Sequence, residues 1–269
     1  MHRGRRIVAP SRTPEEAFLM TGKRLADTVA LVTGASSGIG WATARALAAE
    51  GATVAVFGRR LARLEELVDV IERDGGRAHA HEVDVTDGAT VARSVQAIAD
   101  EFGRIDILVN NAGFLANAPA VEADLADWHR TIDVNIGGVL NVTHAALPLV
   151  VRAGERERGV ADIVTVSSVG GRRVPGPSSN VYAASKHAVG AFTEALRQEL
   201  ATRRVRVGVV EPGVVRTEMT TGGSKGAPDA TTGAPLDPAD IASAIVYMVT
   251  RPAHAAVNEI LIRPTEQVI

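Results

Sequence analysis

Cysteine is absent from this 269-residue chain, which excludes a disulfide framework, a thiolate metal site and a cysteine nucleophile. Aromatic residues are scarce at 3%, and only two of them are tyrosines, so a phenol with a chemical task has few places to be. No stretch approaches the ~18 consecutive apolar residues of a membrane-spanning helix. Neither sign of charge dominates. With a net charge of −2 and a pI near 6.4, no overall field draws the chain to nucleic acid or an anionic membrane, and the expected partner is a small molecule. The seven histidines are scattered without metal-ligand spacing, so no metal is expected. What is present is a globular balance of 46% hydrophobic and 22% charged residues with a mean hydropathy of +0.09.

The charge is uneven. Residues 1 to 24 hold Arg3, Arg5, Arg6, Arg12, Lys23 and Arg24 against Glu15 and Glu16, a net +4 that leaves −6 for the rest. The only apolar run that follows, Ala17 to Met20, is far too short for a secretory leader. Residues 1–24 are therefore expected to be a poorly ordered basic tail, with Met20 an alternative natural start and the cytoplasm the expected location. Residues 25–269 are expected to form a single domain.

From Thr28 onward, short β-branched runs alternate with longer Ala/Leu/Glu-rich segments, the rhythm of βαβ units on a parallel sheet with helices on both faces. Seven strands are predicted: Val29 to Thr33, Thr53 to Phe57, Ala78 to Val83, Ile107 to Asn110, Asp162 to Val166, Val205 to Val210 and Asn258 to Ile262. The first six mostly read as near-continuous apolar runs, as for strands buried on both faces. Helices are predicted over Ile39 to Glu50, Leu61 to Asp74, Gly88 to Phe102, Asp124 to Val151, Asn180 to Arg203 and Pro238 to Thr250, with Asp87 and Asp237 as caps. The fold class is thus α/β, a doubly wound Rossmann sheet. Residues 217 to 236 break the rhythm with Gly222, Gly223, Gly226 and Gly233, which predicts a mobile lid or a disordered insert.

Strand Val29 to Thr33 runs into Gly34-Ala35-Ser36-Ser37-Gly38-Ile39-Gly40 and then into a helix. That order suits a dinucleotide: Gly34 for the tight turn, Gly38 for close approach of a pyrophosphate, Gly40 for helix–strand packing, and the helix N-terminus for the phosphates. At the end of the second strand an acid would select NAD, but the sequence is Phe57-Gly58-Arg59-Arg60. Arg59, with Arg60 near it, would instead meet a 2′-phosphate, so NADP(H) is favoured and NAD(H) left open. Tyr182-Ala183-Ala184-Ser185-Lys186 places Tyr182 and Lys186 on one helical face. At ~4 Å and an effective dielectric near 20, an ammonium stabilises a tyrosinate by ~4 kcal/mol, bringing a phenol from ~10 toward neutrality before burial takes some of that back. Asn135, followed by Ile136, Gly137 and Gly138 inside a predicted helix, is locally unfavourable, and such violations mark functional sites. Asp106 reads as a structural polar residue at a strand start.

Together these motifs resemble the compact single-domain branch of the short-chain dehydrogenase/reductase family over roughly residues 25 to 264. Thr33 to Gly40 matches the cofactor loop, Asn110-Asn111-Ala112-Gly113 the signature after the fourth strand, Ser168 the catalytic serine, Tyr182 with Lys186 the active-site pair, and Pro212-Gly213 with Thr217 the nicotinamide-side loop. The resemblance implies that Tyr182 passes the proton, Lys186 lowers its pKa and holds the nicotinamide ribose, and Ser168 holds the reacting carbonyl. Asn135 matches a helical asparagine whose backbone holds a water linked to the lysine. Gly34, Ser36, Ser37, Gly38, Ile39, Gly40, Arg59, Arg60, Asp84, Val85, Asn111, Ala112, Gly113, Pro212, Gly213, Val215 and Thr217 would contact the cofactor. Ser167 adjoins Ser168, but Gly171 fits the register better with the second serine.

The implied activity is hydride transfer between a nicotinamide and a ketone, aldehyde or hydroxy-acid type substrate. The alternatives are a non-enzymatic dinucleotide-sensing regulator, an NAD-preferring alcohol dehydrogenase of the same family and a sugar-nucleotide epimerase or dehydratase. The epimerase class carries a longer C-terminal substrate domain, for which no residues remain. The small face of Ala183, Ala184, Ala188 and Ala191 fits the family's helix-mediated dimers and tetramers, and His187 should point away from the Tyr182 stripe. The connection Arg152 to Gly159 is longer and more charged than usual, and the last strand lacks the usual paired glycines. Arg172 and Arg173 are considered as a border of the substrate entrance that would favour an acidic substrate.

Overall fold

The computed structural model describes residues 23–221 and 234–268; the proposed tail up to residue 22 and the middle of the proposed lid lie outside the described residues. Their strands form one seven-stranded parallel sheet: β1 Val29–Thr33, β2 Thr53–Gly58, β3 Arg77–Glu82, β4 Ile107–Asn110, β5 Ala161–Val166, β6 Val205–Pro212 and β7 Glu259–Ile262, in the order β3-β2-β1-β4-β5-β6-β7. The chain winds outward from β1 through β3, then returns to lay β4 on the other side of β1. That reversal opens a crevice beyond the C-terminal ends of β1 and β4, where sheets of this class take their ligands.

Helices cover both faces. α1 Gly38–Ala49, α2 Leu61–Arg73 and α8 Pro238–Val249 bury Leu47, Leu64 and Ile245 on one side. α3 Gly88–Phe102, α5 Gly138–Gly154 and α6 Asn180–Leu200 bury Ile98, Val142 and Leu196 on the other. Asp87 caps α3 through the amides of Ala89 and Thr90, and Asp237 forms a reciprocal capping box with Asp240. α4 Leu125–Ile132 and the short α7 Glu218–Thr221 complete the described helices.

Three expectations change. β3 is not buried on both faces: it is an edge strand, with Arg77 and Glu82 exposed at its ends, because no strand pairs beyond it. The long helix expected from Asp124 is broken at Asp133–Gly137 by a π-helical turn. The whole helical run Leu125–Gly154 is also long and apolar enough to cross a membrane by length and composition, with a mean hydropathy of 1.5 in its most apolar window. Val142, Ala146, Val150 and Ala153 nevertheless pack into the core, so the apolar stripe is spent on the sheet.

The charged connection before β5 has a structural use. Arg158 reaches Asp162 at 2.7 Å, and Arg206 meets the same buried carboxylate at 2.7 Å while donating to the carbonyls of Val249, Arg251 and Ala255. Together they tie β5 and β6 to the end of α8. Lys23 and Arg24 are likewise attached to the body, Arg24 through Glu50 and Thr250.

Asp106 is fully buried, accepts the Val29 amide at 2.8 Å and holds Arg104. Asp106→Ala orphans that amide and strips Arg104 of its partner, and should cost about 3 kcal/mol of unfolding free energy. Denaturant titration checks this; a loss below about 1 kcal/mol, the range of an exposed pair, would show that the carboxylate is dispensable.

Candidate active site

The crevice at the β1/β4 reversal opens into a cavity of about 520 Å³. Every cofactor-contacting residue expected above lines it except Gly40, and of the catalytic set only Asn135 does not. Gly40 lies beneath the loop, where a Cβ would overlap the Gly34 carbonyl and stand 2.5 Å from Asn111 Nδ2. Its function is packing, as its position implied. Gly34 and Gly38 carry φ of +65° and +54°, a conformation that side chains resist. The amides of Gly38, Ile39 and Gly40 occupy the first turn of α1, where helical geometry leaves them without intrahelical acceptors. A glycine cradle under unpaired amides fits the pyrophosphate of a dinucleotide.

Thr33 fastens the cradle to the next strand. Its hydroxyl accepts from the amides of Asn111 and Ala112 at 3.0 Å each, while Asn111 Nδ2 donates to Thr33 O at 2.9 Å. Asp84 folds its carboxylate onto Thr86, and Val85 is held by Asn141 through its carbonyl at 2.9 Å. Gly213 donates its amide to Ile262 O at 2.7 Å, and Gln267 braces the next residue by accepting from Val214 N at 2.9 Å. Gln267, near the chain end, carried no sequence signal.

The two arginines at the end of β2 part company. Arg60 donates to Ser36 Oγ from Nε and Nη2 at 3.2 and 3.1 Å. Arg59 is exposed, lines the cavity and makes no side-chain hydrogen bond or ion pair with the described residues. Both could hold a phosphate, but only Arg60 is already fixed.

At the opposite end stand Ser168, Tyr182 and Lys186. Ser167 and Ser168 are now distinguished: Ser167 is buried and donates to Lys186 O at 3.1 Å, whereas Ser168 Oγ accepts from Gly170 N at 3.0 Å and hydrogen-bonds Tyr182. Tyr182 and Lys186 share a face of α6, as expected. Lys186 Nζ donates to Val166 O at 3.0 Å and lies 5.8 Å from the centre of the Tyr182 ring. Desolvation in the cavity wall raises the Tyr182 phenol, with Ser168 pulling the other way, and burial lowers Lys186 to about 8.

Asn135 explains the locally unfavourable Asn-Ile-Gly-Gly. It occupies the π turn, a feature frequent at functional sites. Its side chain accepts from Phe114 N at 2.7 Å and donates to Phe114 O and Ser185 Oγ, both at 3.0 Å. Gly138 is needed because a Cβ there would come 2.5 Å from Val85 Cγ2. Asn135 therefore stands behind the site rather than in it.

Arg172 is turned away from the cavity. It pairs with Glu211 at 2.6 Å and with Glu259, joining the Ser168 loop to β6 and β7. The reading of Arg172 as an entrance charge fails because buried Glu211 claims it, and neither it nor Arg173 lines the cavity. A cation that does line the cavity was not singled out by the sequence: Arg130, on α4, stacks at 4.3 Å over Phe114. His187 is exposed and contacts Ala183 O, off the Tyr182 stripe as expected. Among the described residues no group of three or more His, Asp or Glu is placed to hold a metal ion.

Comparison with known proteins agrees with this geometry. A family model described as short chain dehydrogenase matches residues 28–227. The chain is 44% identical over 247 residues to sulfoacetaldehyde reductase 2 of Chromohalobacter salexigens, covering 89% of this chain and 95% of that one. In structure it is similar to a short chain dehydrogenase from Burkholderia cenocepacia in complex with NADP, with a TM-score of 0.80, 33% identity and coverage of 89% and 98%. It is also similar to a 3-ketoacyl-(acyl-carrier-protein) reductase from Brucella melitensis complexed with NADH, with a TM-score of 0.81, 30% identity and coverage of 91% and 100%. The chain belongs to the short-chain dehydrogenase/reductase family of oxidoreductases.

Proposed function

We propose that this protein is an NADP(H)-dependent reductase of small aldehydes or ketones, with Tyr182 as proton donor, and that an aldehyde carrying an acidic group such as sulfoacetaldehyde is the first substrate to try. The observation that carries the reading is the meeting of Ser168, Tyr182 and Lys186 at one end of a cavity whose other end is the glycine cradle. The substrate class rests on the 44% identical sulfoacetaldehyde reductase and on the cation Arg130 in the cavity. The exposed Ala184 and Ala191 on α6 support a face for a second copy, as in the family's dimers and tetramers.

A bound nicotinamide would supply the hydride. The chain's own residues handle the oxygen. Ser168, already bonded to the phenol, would hold the carbonyl oxygen beside Tyr182. Because burial keeps the phenol protonated at neutral pH, Tyr182 has a proton to give as negative charge grows on that oxygen. The Lys186 ammonium, 5.8 Å from the centre of the ring, would stabilise the tyrosinate left behind, and in the reverse direction the same groups would take the proton back.

Tyr182→Phe should lower reductive turnover by about 10²- to 10⁴-fold, the usual worth of a general acid, with little change in thermal midpoint. Steady-state assays with NADPH and sulfoacetaldehyde or simple ketones test it. Near-normal turnover would sink the assignment.

Cofactor choice is expected to follow the end of β2. Gly58 leaves no acid to repel a phosphate, and a charge-assisted contact from an arginine corresponds to roughly a ten- to hundredfold preference for NADPH over NADH in kcat/KM. Gly58→Asp is sterically tolerable, since its Cβ would meet the flexible Leu64 Cδ2 at 3.3 Å. Combined with Arg59→Leu it should move selectivity toward NADH by at least about tenfold. An unmoved ratio would show that this strand end does not set the choice.

The buried lysine carries a cost with a definite sign. It titrates at about 8 in the folded chain against 10.5 ordinarily, so between those values the unfolded chain holds more protons and stability rises with pH. Below pH 8 the folded state bears the whole penalty, worth about 3 kcal/mol. Lys186→Met should therefore be inactive yet more stable than the wild type at pH 7, by about 1 to 3 kcal/mol, with the advantage gone near pH 10.5. Denaturant melts at both pH values decide; equal destabilisation at both would refute the penalty.

A further inference from the structure

The start of the segment after β6 crosses the cofactor cleft, and three consecutive side chains hold it there. Thr217 lays its methyl against Gly38, where a Cβ would stand 3.0 Å from Thr217 Cγ2, and the Met219 methyl lies 3.8 Å from the place of a Cβ on Gly113. Between them Glu218 Oε2 is 2.9 Å from Arg60 Nη1. The other edge of the same guanidinium faces Ser36 Oγ, which is itself 3.6 Å from the place of a Cβ on Gly58. Arg60 thus stands where the adenosine ribose of a dinucleotide is expected, at the end of the second strand. The base of the crossing is firm: Thr220 Oγ1 donates to Val215 O at 2.6 Å and accepts from Thr217 N at 3.0 Å, and Val215 is bridged to Leu236. Among the described residues, Arg60–Glu218 is the ion pair that joins the two walls of the cleft.

We propose that Glu218 is a cofactor-selecting residue: its carboxylate competes with the 2′-phosphate of NADP(H) for Arg60. Binding of the phosphorylated dinucleotide exchanges the Arg60–Glu218 pair for an Arg60–phosphate contact and unfastens α7, whereas NAD(H) leaves the pair closed. The side chains of Arg60 and Glu218 are 47% and 57% exposed, so water screens their attraction and the pair is weak. A phosphate monoester brings close to two negative charges and three acceptor oxygens to the same guanidinium, which favours the exchange. NAD(H) offers a hydroxyl at that place and gains nothing from opening the pair. The inference rests on the NADP(H) reading above and adds to it a carboxylate on the opposite wall that works against the phosphate.

The test uses binding rather than turnover. Dissociation constants of NADPH, NADH, adenosine 2′,5′-bisphosphate and 5′-AMP are measured by calorimetry on the full chain, Glu218→Gln, Arg60→Gln and the double variant, with thermal midpoints confirming folding. Glu218→Gln should tighten NADPH and the bisphosphate about two- to fivefold, the span of an exposed ion pair, and leave NADH and 5′-AMP unchanged. In the Arg60→Gln background that gain should vanish. Weaker NADPH binding in Glu218→Gln, an equal shift for all four ligands, or a gain that persists without Arg60 would each overturn the exchange. A wild type that binds NADH more tightly than NADPH overturns the cofactor reading itself. A wild-type NADPH preference untouched by Arg60→Gln overturns only the exchange and leaves selection to Arg59.

Discussion

Where β1 turns into α1 there is no room for a side chain, and the rest of the cleft takes its position from that junction. The Gly34 carbonyl lies where a Cβ of Gly40 would be, so the first turn of the helix approaches the end of the strand as closely as backbone allows. Asn111, just beyond β4, fills the remaining space and donates to Thr33 O, while the Thr33 hydroxyl accepts two amides from the chain after β4. The two strands between which the winding reverses are thereby held together at their C-terminal ends. A ligand entering the crevice meets amides whose direction the fold has already set, so it bears little ordering cost.

The opposite end of the cavity depends on a second constraint, the burial of an ammonium behind a phenol that lines the cavity wall. Lys186 has a backbone carbonyl for its partner and no carboxylate, and burial lowers its pKa accordingly. Its helix is anchored from behind: Ser185 donates to Tyr182 O at 2.7 Å and accepts from Asn135, which also grips both backbone polar groups of Phe114. One amide side chain in a π turn thus links α6, the loop after β4 and the start of α5. Such a link lets a helix bearing costly groups stay rigid, which is what positioning a proton donor requires.

Legibility from sequence followed the range of the interactions. β1, the glycine loop and α1 could be read directly because strand, turn and helix are neighbours in the chain and each glycine answers to a local steric demand. The caps Asp87 and Asp237 were legible for the same reason. Sheet edges were less so: β3 alternates Ala78 and Ala80 with His79 and His81, unlike the apolar runs of the inner strands, but only the order of pairing shows that β3 and β7 are the strands with a free side. The Asn-Ile-Gly-Gly anomaly was visible, but its cause, a Val85 side chain some 50 positions earlier in the chain pressing on Gly138, is a tertiary contact. Arg172 failed as an entrance charge because its partner Glu211 lies on another strand. The sequence put Arg59 first with Arg60 beside it, and contacts to Ser36 and the distant Glu218, which fix Arg60 alone of the two, are tertiary.

The two ends of the cavity therefore differ in how freely they can change. The adenosine end is built from exposed side chains, Arg59, Arg60 and Glu218, over a backbone that does not depend on them, and substitutions there disturb little of the core. The end that holds Ser168, Tyr182 and Lys186 is built from groups whose burial, hydrogen bonds and helix anchoring are linked, so a change at one loads the others. Cofactor preference is then the property of this fold most open to a few surface charges, while the acid–base end is constrained as a unit. The solved relatives that carry NADP and NADH on the same architecture fit that division. Arg130 and Phe114, which also line the cavity, come from α4 and the loop after β4, outside both the glycine cradle and the Tyr182 helix. Phe114 is nonetheless tied to the Tyr182 helix through Asn135, which bonds its backbone and Ser185 alike.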